Sequence, residues 1–126
     1  MLRMCLVMCC ALISGCAPPP EREIVVALTE YGFLPPLIEV TAAERVRLVV
    51  RNIGRLEHDL VPDARGKALG LATVHLAPGG SASNDWTAPA DPTEVRIICT
   101  VVGHESLGMT ARLVVRPRAS PTSTSP

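Results

Sequence analysis

Val95-Arg96-Ile97-Ile98-Cys99-Thr100-Val101-Val102-Gly103-His104-Glu105-Ser106-Leu107-Gly108-Met109-Thr110-Ala111-Arg112-Leu113-Val114-Val115 is two alternating stretches separated by a loop that carries two glycines. Successive side chains of a strand point to opposite faces. Val95, Ile97 and Cys99 therefore share one face of the first stretch, and Met109, Ala111, Leu113 and Val115 share one face of the second. Both sulfurs then point toward an apolar interior from two adjacent strand ends. Gly103 and Gly108 give the loop the backbone freedom needed to fold His104 back toward the same point.

The same period runs through the rest of the chain. Val46, Leu48 and Val50 fall on one side of a strand while Arg45, Arg47 and Arg51 fall on the other. Further strands are predicted at Ile24 to Leu28, Ile38 to Val40, His58 to Val61, Thr73 to Leu76, Ser81 to Thr87, Glu94 to Cys99 and Thr110 to Val115. Turn signals punctuate them at Pro35-Pro36, Asn52-Ile53-Gly54, Pro78-Gly79-Gly80 and from Pro89 to Pro92. No stretch has a sustained helical period, although Asp63 to Leu71 has room for a short turn of helix. Short strands at this spacing predict an all-β domain, a β-sandwich.

Composition agrees and removes several functions. The 126 residues suffice for one domain, and 48% of them are hydrophobic. Twelve basic and twelve acidic side chains cancel, so there is no basic footprint for nucleic acid. Aromatic residues are 2%, with Trp86, Tyr31 and Phe33 one of each kind, so the core must be aliphatic and stacking platforms are excluded. Trp86 reads as a core residue, and Arg45, Arg47 and Arg51 as a solvated strand face.

The ends carry no fold signal. Residues 1–15 place Arg3 before an apolar run of about ten residues, and Ala17-Pro18-Pro19-Pro20 follows at once, which reads as a signal peptide and not as a spanning helix. Leu12-Ile13-Ser14-Gly15-Cys16 resembles the lipobox of bacterial lipoproteins, which implies cleavage before Cys16 and lipidation of its thiol. Residues 16–23 then form a lipidated, Pro-rich spacer, 24–116 the folded domain and 117–126 a disordered Pro, Ser and Thr tail. Cys5, Cys9 and Cys10 leave with the signal, so Cys99 is the one thiol left in the mature chain and no internal disulfide forms.

Cys99, His104 and Met109 recur with four residues between each pair: a thiolate, an imidazole and a thioether. This soft set suits copper and not the oxygen-seeking calcium or magnesium. A third strong ligand must come from elsewhere, and His58, in Glu57-His58-Asp59-Leu60-Val61 after the Asn52-Ile53-Gly54 turn, is the leading candidate. His75 has no partners at useful offsets and reads as an exposed strand residue.

At these residues the chain resembles the cupredoxins, the blue copper proteins related to plastocyanin, azurin and sulfocyanin. The resemblance extends from Tyr31-Gly32-Phe33-Leu34-Pro35-Pro36 with Ile38-Glu39-Val40, through Val46 to Gly54 and Pro78-Gly79, to the loop from Cys99 to Met109. It implies a Greek-key sandwich holding one type 1 copper ion, with His58, Cys99 and His104 as equatorial ligands and Met109 as a long axial contact. It also implies that Asp59 and Thr100, which follow the first histidine and the cysteine, bond side chain to side chain and tie the two ligand segments together. Ile98 stands where the family often has an aromatic residue, and Val102 near where it has a proline.

The resemblance implies a carrier of single electrons between redox proteins, not an enzyme. It would be a monomer attached to a membrane by its lipid and exposed to the periplasm or exterior of a bacterial envelope. His104 would be the exit, among Leu34, Pro35, Val101, Val102 and Leu107. A copper carrier or store that delivers the ion is the alternative, although the mature chain lacks the Met- or His-rich tract expected of one.

Overall fold

The computed structural model describes residues 18–119; the expected signal peptide, the lipidated Cys16 and residues 120–126 of the tail lie outside the described residues. Period-two patterning becomes nine strands and one short helix: β1 Arg22–Thr29, β2 Gly32–Leu34, β3 Leu37–Thr41, β4 Arg45–Asn52, β5 His58–Pro62, α1 Ala64–Ala68, β6 Val74–Leu76, β7 Ser81–Thr87, β8 Thr93–Ile98 and β9 Thr110–Arg116. They form a four-stranded sheet in the order β2-β1-β4-β7 and a five-stranded sheet in the order β3-β9-β8-β5-β6. β1 runs parallel to β4, and β3 parallel to β9; the other pairings are antiparallel. Neighbours in space are often distant in sequence, as in a Greek-key sandwich.

The core is where the inward positions of both sheets meet. Val26, Leu28, Val46, Val50 and Trp86 come from the first sheet, and Ile38, Val40, Val95, Ile97, Leu113 and Val115 from the second; all are buried. The Trp86 indole N–H, which burial would otherwise orphan, donates to the Leu69 carbonyl at 2.8 Å. Arg45 and Arg47 lie outward on β4 as expected, and Arg47 pairs with Asp85 of β7 at 2.7 Å. The edge strand β7 is otherwise polar, with Trp86 its one fully buried residue, which discourages further strands from adding there.

Two features depart from the sequence reading. β2 was not expected: it is three residues long and pairs with β1 through a turn at Glu30-Tyr31, where Tyr31 adopts φ 65°. A left-handed non-glycine residue hides a turn from a search for Gly, Pro and Asn. β1 also begins at Arg22, inside the stretch read as spacer. Glu21 N–H donates to Arg45 O at 2.7 Å and Pro19 O accepts from Arg45 Nε at 3.1 Å, so the end of the spacer lies along β4. Helix α1 falls within the predicted window, with Asp63 as its N-cap: its carboxylate accepts from Gly66 N–H at 2.8 Å and from Arg96 N–H of β8 at 3.0 Å.

Candidate metal centre

Cys99 is one residue past the end of β8 and Met109 one residue before the start of β9. The register Ile98↔Thr110 sets them side by side. The ladder extends by one bond, from Cys99 N–H to Met109 O at 3.2 Å. Between them the loop curls in tight turns: His104 N–H donates to Val101 O at 3.0 Å and Met109 N–H to His104 O at 3.0 Å. Gly103 and Gly108 have φ values of 86° and 97°, the left-handed conformation that this curl needs. His104 is thereby turned inward and is buried.

His58 arrives from a different segment. It begins β5, which pairs with β8 through Val61↔Ile98. The preceding loop is braced by Asn52, whose amide donates to Leu56 O at 2.8 Å and to Leu76 O at 3.0 Å while its oxygen accepts from Gly54 N–H at 3.0 Å. One ligand atom each from His58, Cys99 and His104 lies within 4.8 Å of the others. Nδ1 of His58 is 3.2 Å from Nδ1 of His104, and that nitrogen is 3.5 Å from Cys99 Sγ. Cys99 and Met109 are fully buried, and His58 is nearly so.

Two ring nitrogens and a sulfur facing one point among buried residues are short of protons to share among themselves. Burial holds the imidazolium form of His58 down, helped by the neighbouring His104. Burial pushes the Cys99 thiol up, against the N–H groups of Asp59 and Val101 that favour a thiolate; the Asp59 N–H lies 3.4 Å from Sγ. A cation at that point would resolve both tensions by accepting the lone pairs and displacing the thiol proton. The donors are soft or borderline, and with the buried Met109 beside them they fit one type 1 copper ion.

Asp59 and Thr100 meet as the resemblance implied. The Thr100 N–H and hydroxyl donate to the two Asp59 oxygens, each at 2.5 Å. His75, read from sequence as an exposed residue with no role, is exposed and outside the cluster. Its Nδ1 nevertheless reaches the same carboxylate at 3.3 Å, because β5 and β6 pair Asp59 with His75. Sequence reasoning also missed Tyr31, whose ring packs edge-on against His104 with centroids 5.2 Å apart and planes at 84°. Neither residue carries a local signal: sheet pairing brings in His75, and a turn beside β1 brings in Tyr31. Tyr31, which packs on the His104 ring, is exposed, and so are Leu34 of β2 and Val102 and Leu107 of the loop that carries His104.

No protein-family profile and no curated protein sequence matches the chain. Solved structures do. The dithionite-reduced auracyanin of the photosynthetic bacterium Roseiflexus castenholzii superposes with a TM-score of 0.64 at 20% identity, over 79% of this chain and 100% of that one. Auracyanin A, a "blue" copper protein of Chloroflexus aurantiacus, gives 0.56 at 22% identity over 75% and 99%. The copper-containing nitrite reductase of Thermus scotoductus gives 0.58 at 17% identity, over 79% of this chain but 28% of the reductase. The chain therefore has the cupredoxin fold, and at one end of it a His-Cys-His-Met cluster that fits a type 1 copper site.

Proposed function

We propose that this chain is a copper protein that carries single electrons between redox partners, held by a lipid on Cys16 to a membrane of a bacterial envelope. The observation that carries the reading is the convergence of His58, Cys99 and His104 within 4.8 Å, all buried, from two segments locked together by Asp59 and Thr100. Bound copper would supply a one-electron change between its two oxidation states. His58 and His104 would hold it through Nδ1, Cys99 through its thiolate and Met109 more weakly from the interior. The protein's part is to keep these donors fixed. Both sulfurs sit at strand ends inside a packed sandwich, and the histidines are braced by backbone hydrogen bonds, so little has to move when the charge changes. The rim around His104 gives a redox partner a small apolar surface for brief contact.

An enzymatic role is less well supported. The copper-containing nitrite reductase shares the fold over a minor part of its length, and this chain contributes a single cluster among its described residues. Addition of copper(II) to the purified chain is expected to produce the intense blue thiolate-to-copper absorption and to yield a centre that is reduced and reoxidised without losing the ion. Cys99→Ser is expected to abolish the colour. A colourless wild-type complex with its thiol fully reduced, or a blue Cys99→Ser variant, overturns the reading.

A further inference from the structure

His58 faces the cluster with Nδ1, so its second ring nitrogen, Nε2, is turned away from it. That nitrogen is buried and has no hydrogen-bond partner among the described residues. Whenever Nδ1 gives its lone pair to a metal, Nε2 must carry the ring proton, and a buried N–H without an acceptor bears its full desolvation cost. The centre described above leaves this proton unaccounted for.

The side chain positioned to take it comes from the unexpected turn between β1 and β2. A Cβ on Gly54 would stand 2.6 Å from Oε1 of Glu30 and 3.0 Å from Nε2 of His58. The two atoms therefore border one small space, which exists because residue 54 has no side chain. Glu30 is held there by the loop that leads to His58: Oε1 accepts from the N–H of Arg55 and, at 3.3 Å, from that of Leu56. These contacts, the Arg55 N–H foremost, hold the Glu30 carboxyl below its usual range, so the group facing His58 is an anion.

We propose that Glu30 is a positioning residue of the metal centre: when the metal binds, its carboxylate closes into the space left by Gly54 and accepts a hydrogen bond from the Nε2–H of His58, and so fixes the tautomer that leaves Nδ1 free for the metal. A carboxylate behind a ligating imidazole also raises the basicity of the ring and favours the more highly charged state of the ion. Glu30 and Tyr31 are adjacent, so one turn would then control both histidines, Glu30 from behind His58 and Tyr31 against His104.

The inference rests on the copper reading, and its test separates the two. Nitrogen-15 NMR on the purified chain loaded with copper(I), which is diamagnetic, follows both ring nitrogens of His58, and redox titration gives the potential. In the wild type the Nε2 proton is expected downfield and slow to exchange. In Glu30→Gln, which keeps an oxygen for the Arg55 and Leu56 N–H groups, it is expected to move upfield and exchange about tenfold faster, and the potential is expected to rise as an anion near copper(II) is lost. Gly54→Ala, whose methyl fills the shared space, is expected to change the Nε2 proton in the same direction. A Nε2 proton with unchanged shift and exchange rate in both variants overturns the role of Glu30, because a residue that only braces the loop would leave it alone. Copper(I) that leaves Nδ1 of His58 unshifted in the wild type overturns the copper reading instead.

Discussion

Asp59 is the residue on which the two ligand segments depend. It is buried directly after His58, its oxygens accept from the Thr100 N–H and the Thr100 hydroxyl, and the His75 ring lies 3.3 Å away. A buried carboxylate is tolerable because these donors replace the water it has lost. Removing it gives up two charge-assisted hydrogen bonds and returns the groups of the exposed Thr100 to water, at a cost of about 1.5–3 kcal/mol. Asp59→Ala is accordingly expected to lower the melting temperature and to weaken copper binding by about 10–100-fold. Thr100→Ala is expected to act in the same direction but less, since the backbone N–H survives. Competition with a copper(I) chelator measures both, and unchanged affinity and spectrum in the two variants would remove this role. The Asp59–Thr100 contact was implied by the cupredoxin resemblance, through the positions directly after His58 and Cys99. The approach of His75 was not legible, because the pairing of β5 with β6 exists only in the folded sheet.

At the scale of elements, the turn between β3 and β4 shows how strand ends are fixed. The half-exposed Arg22 of β1 donates to the Glu44 carboxylate at 2.8 and 3.1 Å, and the same group accepts from Thr41 N–H at 2.7 Å. Glu44 is buried, and its carboxyl is held below the ordinary value of 4.5, chiefly by Arg22. Because the folded-state value lies below the unfolded one, its contribution is complete above about pH 4.5 and fades as the pH falls through the depressed value. Glu44→Gln is expected to cost about 1–3 kcal/mol at pH 7, and the gap from the wild type is expected to narrow in acid. Urea unfolding at pH 7 and below pH 4 tests it, and a gap that stays constant with pH would deny the ion pair this part. Most strands were legible because one face of each is buried and the period is two. β2 was not, being too short to show a period and preceded by a turn whose left-handed residue is a tyrosine.

At the scale of the molecule, β1 runs from the N-terminal segment to the metal cluster. The chain leaves the spacer at Arg22, and β1 ends at Thr29, immediately before the turn that touches His104. Eight strand residues span roughly 25 Å. Pro19 and Glu21 are fastened to Arg45, so few residues separate Cys16 from the folded domain. A lipid on Cys16 would thus hold the domain close to the membrane by the end opposite the copper cluster. Mass spectrometry of the protein from the membrane fraction is expected to find a chain that begins at Cys16 and carries acyl chains on it, and an unmodified Cys16 would refute lipid attachment at that cysteine. The sequence by itself determined the all-β sandwich and the ligand loop from Cys99 to Met109, because burial on one face imposes a period and the loop's donors keep a regular spacing; the pairing of Asp59 with Thr100 came from the family resemblance that these residues carry. Only the tertiary structure decided that Glu30, Tyr31 and His75 join the centre. Their approach depends on which strands pair and how turns close between them, and those contacts form across stretches of chain with no repeat or spacing to record them.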